Sequence, residues 1–184
     1  NKDATWKSKR SVFRIDENER ITNIKRATNT KTGDALYLGT MIMRKDFLKK
    51  HILNAINKGY KTLLEYWSDN ASHIKIKGYE FNEYYAYIES LESYVTSNLD
   101  LLNLKVREEL FRKPYRPIYT SVNDSPATTY GEDAVVENSI IADGCIINGT
   151  VKNSVIFRGV KIDKDANVSN SVVMQDSIIG VNAT

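Results

Sequence analysis

Three short stretches near the end of the chain say nearly the same thing: Val136 to Gly144 reads VENSIIADG, Val151 to Gly159 reads VKNSVIFRG, and 168–176 reads VSNSVVMQD. Each opens on valine, places Asn-Ser at its third and fourth positions, and continues with two β-branched residues. The surrounding apolar anchors are Tyr130, Val136, Ile141, Ile147, Val151, Ile156, Ile162, Val168, Val173 and Ile179, spaced by four to six residues. That spacing fits neither the 3.6 period of a helix nor the period of two of an ordinary strand. A rhythm near six marks a parallel β-helix, in which each unit is one short strand and a turn, and three units close a coil. Small or compact residues (Ala134, Cys145, Val160, Ala166, Ser177) follow several anchors, and Ser139, Ser154 and Ser171 stand in the shortened units. Asn138, Gly144, Asn153, Gly159 and Asn170 suit corners, because Asn and Gly tolerate positive φ. The opening triplet is therefore one face of a prism seen three times, its spacings of fifteen and seventeen reflecting coils slightly short of eighteen. A β-sandwich would instead need hairpin turns, and only Asn148-Gly149 has that chemistry.

The first 110 residues follow different rules. Ser11 to Ile15 and Arg20 to Lys25, joined by Asp16-Glu17-Asn18-Glu19, predict a hairpin, and 36–43 predicts a buried strand approached closely at Gly39. Phe47, Leu48, His51, Ile52, Ala55 and Ile56 form the stripe of an amphipathic helix stopped by Gly59. A short helix follows at 63–67. Alternation predicts strands at 73–77 and 84–88, and Ser90 caps a helix whose face is Leu91, Tyr94, Val95, Leu99 and Leu102. Strands interleaved with helices indicate an α/β layer, so the fold class is α/β followed by all-β. The prolines Pro114, Pro117 and Pro126 mark a linker, giving 1–112, 113–129 and 130–184 as the three parts.

Composition narrows the function. Of 184 residues, 41% are hydrophobic and 27% charged, and the formal net charge is +3, too small a surplus for a nucleic-acid or membrane footprint. The early cluster Lys2, Lys7, Lys9, Arg10 and Arg14 reads as a solvated edge. One cysteine, Cys145, allows no internal disulfide, no apolar run reaches the ~18 residues of a membrane span, and a cytoplasmic setting follows. The chain opens at Asn1 in mid-pattern, as a piece of a longer protein would. Two histidines, His51 and His73, with no cysteine or carboxylate cluster beside them, predict no metal site. Residues 130–184 contain no histidine, which argues against a hexapeptide-repeat acyltransferase.

The order of parts is specific: an α/β segment, then SLESYVTSNLDLL (Ser90 to Leu102), PIYT (Pro117 to Thr120), and ATTYGEDAVVENSIIADGCIINGTVKNSVIFRGVKI (127–162). In these stretches the chain resembles the C-terminal half of the bacterial glucose-1-phosphate adenylyltransferases, the ADP-glucose pyrophosphorylases of glycogen synthesis. The resemblance implies the C-terminal part of a Rossmann-like nucleotidyltransferase domain, followed by a left-handed parallel β-helix of hexapeptide repeats. The family's glycine-rich nucleotide loop would lie upstream of Asn1. The family joins ATP and glucose 1-phosphate with Mg2+, and uses its β-helix for subunit contacts and effector control.

Family positions carried onto this chain depart from the pattern at three places. The metal aspartate of the strand before the ESY helix falls on Tyr87, and a phenol is a poor ligand for Mg2+, which prefers carboxylate and phosphate oxygens. Glu89 lies two residues on, on the same face of a regular strand. The lysine of a Phe-Val-Glu-Lys-Pro signature falls on Ala27, with Arg26 pointing to the opposite face. The serine of Ser-Met-Gly-Ile-Tyr falls on Tyr37, leaving only Gly39 in common. Catalysis is accordingly not expected of these degenerate positions, and no cofactor is expected in the chain; Mg2+ enters only if a catalytic alternative through Glu89 holds. The pattern resembles the family's D-type, non-catalytic branch, which implies a catalytic adenylyltransferase subunit as partner in a hetero-oligomer, or self-association through the β-helix. A sugar-phosphate effector is a further expectation, with Arg112, Lys113, Arg116, Arg158 and Lys161 as its candidate cations; their plain role is to solubilise the linker and the coil corners.

Overall fold

A computed structural model of the chain describes residues 5–29, 31–121 and 124–184, with side chains from Lys9 onward. Lys2, the side chain of Lys7, and Val122 and Asn123 of the linker lie outside the described residues. The chain divides into two compact units, Asn1–Phe81 and Asn82–Thr184. Among the described residues no helix is long and apolar enough to cross a membrane.

The first unit is α/β. Its sheet has the order β2-β1-β3, built from β1 (Thr5–Ile15), β2 (Ile21–Asn29) and β3 (Asp34–Leu36), all antiparallel. The predicted hairpin is present. Asp16 closes its turn, its Oδ1 accepting the backbone N–H groups of Asn18 and Arg20 at 2.9 Å each, a local bond that aspartate makes readily. The three strands are tied on one side by Asp34, whose fully buried carboxylate pairs with Lys25 at 2.7 Å and with Arg14 at 3.5 Å. Helices α1 (Lys45–Asn57) and α2 (Leu63–Asn70) supply the rest of the core, where Ala55, Tyr66 and Trp67 meet Phe13, Ile21, Ile24 and Ile74. Helix α1 ends as its sequence predicts, with Gly59 at φ +77°. Helix α2 begins in a capping box: Thr62 accepts from Glu65 N–H and the Glu65 side chain accepts from Thr62 N–H, satisfying two otherwise orphan donors. His51 is buried against Phe47, Tyr66 and Trp67, with ring centroids 4.1, 5.7 and 6.4 Å away, and its Nδ1 has no hydrogen-bond partner.

Two strands predicted for this unit do not form as such. The run 36–43 leaves the sheet at Tyr37, whose N–H still reaches Ser11 O, and Gly39 then turns the chain at φ +85°. The pairing of β3 with β1 is therefore not extended beyond Ser11, and Ile42 is 98% exposed. In 73–77 the inward alternation holds, with Ile74 buried and Ile76 half-buried, but pairing shrinks to one bridge, Arg20 to Lys77, and the bond Ile21 N–H to Ile76 O. The segment crosses the very start of β2 and meets it only there.

The second unit opens with α3 (Leu91–Leu99), capped by Ser90, whose Oγ accepts from Ser93 N–H. A 3-10 turn, Asp100–Leu102, joins it to α4 (Leu104–Phe111), a helix for which the sequence reading made no provision. The predicted strand at 84–88 is absent: the Tyr84 N–H, which a strand would give to a neighbour, goes to the Glu109 carboxylate. The predicted apolar face of α3 is only partly covered, since Tyr94, Val95 and Leu99 are half-buried and Leu91 is exposed.

From Thr129 the chain winds a parallel β-helix. One face stacks β4 (Thr129–Tyr130), β7 (Ile146–Ile147), β10 (Lys161–Ile162) and β13 (Ile178–Ile179); the second stacks β5 (Val135–Glu137), β8 (Thr150–Lys152) and β11 (Asn167–Ser169). The third stacks β6 (Ile140–Ile141), β9 (Val155–Ile156) and β12 (Val172–Val173). Register puts every sequence anchor over its counterpart: Tyr130 over Ile147, Ile162 and Ile179; Val136 over Val151 and Val168; Ile141 over Ile156 and Val173. Ile147, Val151, Ile156, Val160 and Ile162 have no solvent exposure, and burying each contributes about 1.5–3 kcal/mol. Asn148-Gly149 makes no hairpin; it is the tight corner between β7 and β8, parts of one coil.

The recurrent Asn-Ser pair is the corner between the second and third faces. Asn138, Asn153 and Asn170 take φ of +43°, +47° and +49°, the left-handed region in which asparagine is tolerated. Each of the three serine hydroxyls donates to the carbonyl two residues back, and the first two also accept the backbone N–H of the serine one coil on: Ser154 N–H to Ser139 Oγ and Ser171 N–H to Ser154 Oγ, both 3.1 Å. The hydroxyl thus stands in for a ladder carbonyl where the strand bends away, which is why a buried polar residue costs the core little.

Two outcomes follow for denaturant unfolding of the full chain. Ser154→Ala strands the part-buried Ser171 N–H, while the Lys152 carbonyl keeps the Asn170 N–H, and should destabilise the β-helix by about 1–3 kcal/mol. Gly149→Ala should cost about as much or more, because its Cβ would lie 2.5 Å from Ala166 O and 2.8 Å from Asp163 O, backbone atoms that cannot move aside. Wild-type stability in both variants would contradict this packing. In the first unit, burial first and the Lys50 charge second hold the His51 imidazole below its usual 6.5. The unfolded chain therefore takes up the proton first, and this unit's stability should fall as pH drops below 6.5, levelling off once the folded form is protonated. His51→Leu should flatten that stretch of a stability-versus-pH curve; an unchanged curve would show that the imidazole is not its source.

Candidate functional site

The family positions read from the sequence are distributed over both units. In the first, Arg26 and Ala27 lie on β2, paired with Ser11 and Arg10 of β1. Arg26 is exposed and its guanidinium donates to Lys9 O at 2.7 Å, and Ala27 is half-buried. Tyr37 stacks on Phe13 with ring centroids 4.9 Å apart and belongs to the edge of the apolar core, and Gly39 is exposed with open space where a Cβ would project. In the second unit Tyr87 and Glu89 are exposed and belong to no strand, which removes the regular alternation that would have set them on one face. Glu89 sits just ahead of α3, its backbone N–H bonded to Ser93 Oγ at 3.0 Å.

The candidate effector cations of the second unit are mostly neutralised within it. Arg112 pairs with Glu108 one turn back on α4 at 3.7 Å, and Lys161 pairs with Asp163 at 3.2 Å. Lys113 and Arg116 share a single carboxylate, Glu83: Lys113 Nζ lies 3.2 Å from Oε1, and Arg116 binds Oε2 directly. Arg158 lines a cavity of about 230 Å³ at the corner that follows the third face, beside Phe157 of its own coil and Ala142 and Gln175 of the coils on either side. The structure thus brings Lys113 and Arg116 together, and places Arg158 in the turn after β9 and Lys161 at the start of β10.

Around Glu83 a polar cluster appears that the sequence reading missed. Tyr84 donates its N–H to Glu109 and its phenol to Asp100 Oδ2 at 2.9 Å, and Arg116 also reaches Glu109 O at 3.4 Å. Burial first, and the Asp100 hydrogen bond and charge second, push the Tyr84 phenol up to about 12. The hydrogen bond from Lys113 to Glu83 likewise raises that ammonium above its ordinary value, outweighing desolvation. Nothing in the sequence signals these pairs, because Glu83 and Lys113 are thirty residues apart and share no helix or repeat.

An α/β unit and a hexapeptide-repeat β-helix define the class of the chain. Residues 125–184 match the family described as GlmU-like, C-terminal hexapeptide. Among curated proteins the chain is 38% identical to the glycogen biosynthesis protein GlgD of Bacillus subtilis (strain 168) over 131 residues, 71% of this chain and 38% of that protein. It is 54% identical to GlgD of Geobacillus stearothermophilus over 70 residues, 38% of this chain and 20% of that protein. It is 32% identical to the glucose-1-phosphate adenylyltransferase of Clostridium botulinum (strain Eklund 17B / Type B) over 168 residues, 88% of this chain and 40% of that protein. The resemblance read from the sequence is therefore present, to the adenylyltransferase family and to GlgD, and the chain spans less than half the length of these relatives.

Because the Tyr84 phenol titrates above its unfolded value of about 10, its contribution to stability is whole below pH ~10 and is lost as pH rises from there toward 12. Tyr84→Phe should remove this part of the alkaline transition, seen as a flatter stability-versus-pH curve between pH 10 and 12; a curve that matches wild type would contradict the Asp100 bond.

Proposed function

We propose that the chain is part of a regulatory or structural, non-catalytic subunit of ADP-glucose pyrophosphorylase, acting in glycogen biosynthesis. The observation that carries the reading is Tyr87, an aromatic ring where the resemblance puts the metal aspartate, with Ala27 and Tyr37 departing in the same sense at the sugar-phosphate positions. Nucleotidyl transfer rests on positioning and charge neutralisation, so losing the carboxylate for Mg2+ and a cation for the sugar phosphate removes what such a pocket supplies. The residues in this stretch do not fit Mg2+: a phenol and one exposed carboxylate, outside any strand, are a poor donor set for a hard ion that demands near-octahedral oxygen ligands. GlgD among the relatives supports the same reading. The partner in this reading is a catalytic adenylyltransferase subunit, which the chain influences by contacting its active and inactive states unequally, and a sugar phosphate is the effector class.

A second reading keeps adenylyl transfer, with Glu89 as a displaced metal ligand; the similarity to adenylyltransferases over 88% of the chain favours it. One assay separates the two. The full-length protein alone, given ATP, glucose 1-phosphate and Mg2+, should form no ADP-glucose, yet should change the maximal rate or effector response of its catalytic partner. Turnover by the single subunit that Glu89→Gln abolishes would establish the second reading instead.

A further inference from the structure

The two β-branched residues that follow each Asn-Ser pair have different surroundings. The second of them, Ile141, Ile156 or Val173, belongs to an inward column of the β-helix core. The first, Ile140, Val155 or Val172, precedes it in a strand and so points to the outer surface. On the other two faces outward residues meet water: Glu137, Lys152 and Ser169 of the second face are exposed, and Ile146 and Ile178 of the first are 45% and 70% exposed. The third face departs from this. Val155 is only 4% exposed although it stands outside the core cluster, and Ile140 and Val172 are half-buried. All three outward positions are apolar, which is the pattern of a parallel strand covered on both sides.

Helix α3 lies against β12 of this face. Its half-buried residues Tyr94, Val95, Asn98 and Leu99 share one side, at i, i+1, i+4 and i+5, while Glu92 and Thr96 are exposed. A helix of nine residues is marginal by itself in water, so its order depends on what it packs against. We infer that the first β-branched position after Asn-Ser is a helix-docking position: Ile140, Val155 and Val172 form an outward apolar column that seats α3. The repeated motif then specifies the core on one side of the strand and an interface on the other. With the third face taken by α3, a partner of the β-helix is directed to its first two faces or its ends. The seat stands whether or not the protein is catalytic.

Amide hydrogen exchange on the full-length protein, with no partner present, tests it. Val155→Lys, and separately Val172→Lys, should speed exchange at 95–99, whose N–H groups lie inside α3, by at least about tenfold, while β7, β8, β10 and β11 keep wild-type protection. Thr150→Lys, an outward change in the same coil but on the second face, should leave α3 as in wild type. Val95→Lys should reproduce the effect from the helix side, and combined with Val155→Lys should do no more than either alone, because one interface is lost. Wild-type exchange in α3 for both Val155→Lys and Val172→Lys would overturn the seat. Where a lysine loosens the coils as well, Val155→Ala decides, since it trims the side chain without adding charge. Faster exchange confined to α3 then supports the seat, and no change, or loss of protection across the coils, overturns it.

Discussion

The β-helix depends on one constraint: a side chain in each coil must lie directly over its counterpart in the next, because the parallel ladder leaves no freedom of register once the inward residues interlock. Tyr130, Ile147, Ile162 and Ile179 form one such column, and those led by Val136 and Ile141 form the others. Coil length is set by the corners, and two corner devices are visible. The Asn-Ser corner spends one left-handed residue and one hydroxyl per coil, and the hydroxyl repairs the ladder where the bend interrupts it. The Asn148-Gly149 corner is two residues shorter than its counterparts and is possible only because backbone oxygens of the next coil can sit where a Cβ would be. Fifteen and seventeen are the lengths these corners allow.

Charge is handled in the second unit by local neutralisation. Four of the five candidate effector cations have carboxylate partners: Glu108 closes a turn of α4, Glu83 holds the linker through Lys113 and Arg116, and Asp163 pairs with its near neighbour Lys161. A basic residue in a linker is thus weak grounds for a ligand site until its acid is located. The first unit treats Asp34 in the same way, since two cations make tolerable a carboxylate with no solvent contact.

Legibility varied with the range of the interactions. The hairpin, α1, α2 and α3 were readable because turn chemistry, caps and a one-sided apolar stripe act within a few residues; Asp16, Thr62, Ser90 and Gly59 behave as their local chemistry requires. The strand expected at 36–43 stopped where Gly39 turns the chain off β1, and those at 73–77 and 84–88 failed because a strand needs a neighbour. Their alternation states which side chains turn inward, as Ile74 and Ile76 do, but not whether an edge is available. Helix α4 escaped notice because its sequence, LKVREELF, is half charged and gives only a weak stripe.

Sequence alone settled the architecture of the last fifty-five residues, since a six-residue rhythm with β-branched anchors buries its apolar set in only one way, and it settled the likeness to the adenylyltransferase family, whose motifs are short and contiguous. Only the tertiary structure decided where Glu83 sends its charge, that Tyr84 is held by Asp100 and Glu109, that Tyr87 and Glu89 belong to no ladder, and that His51 is sealed without a hydrogen-bond partner at Nδ1. The difference has one cause. Repeats, caps and turns are contests between neighbours in the chain, whereas an ion pair or a strand's partner is chosen among groups that folding brings together from tens of residues apart.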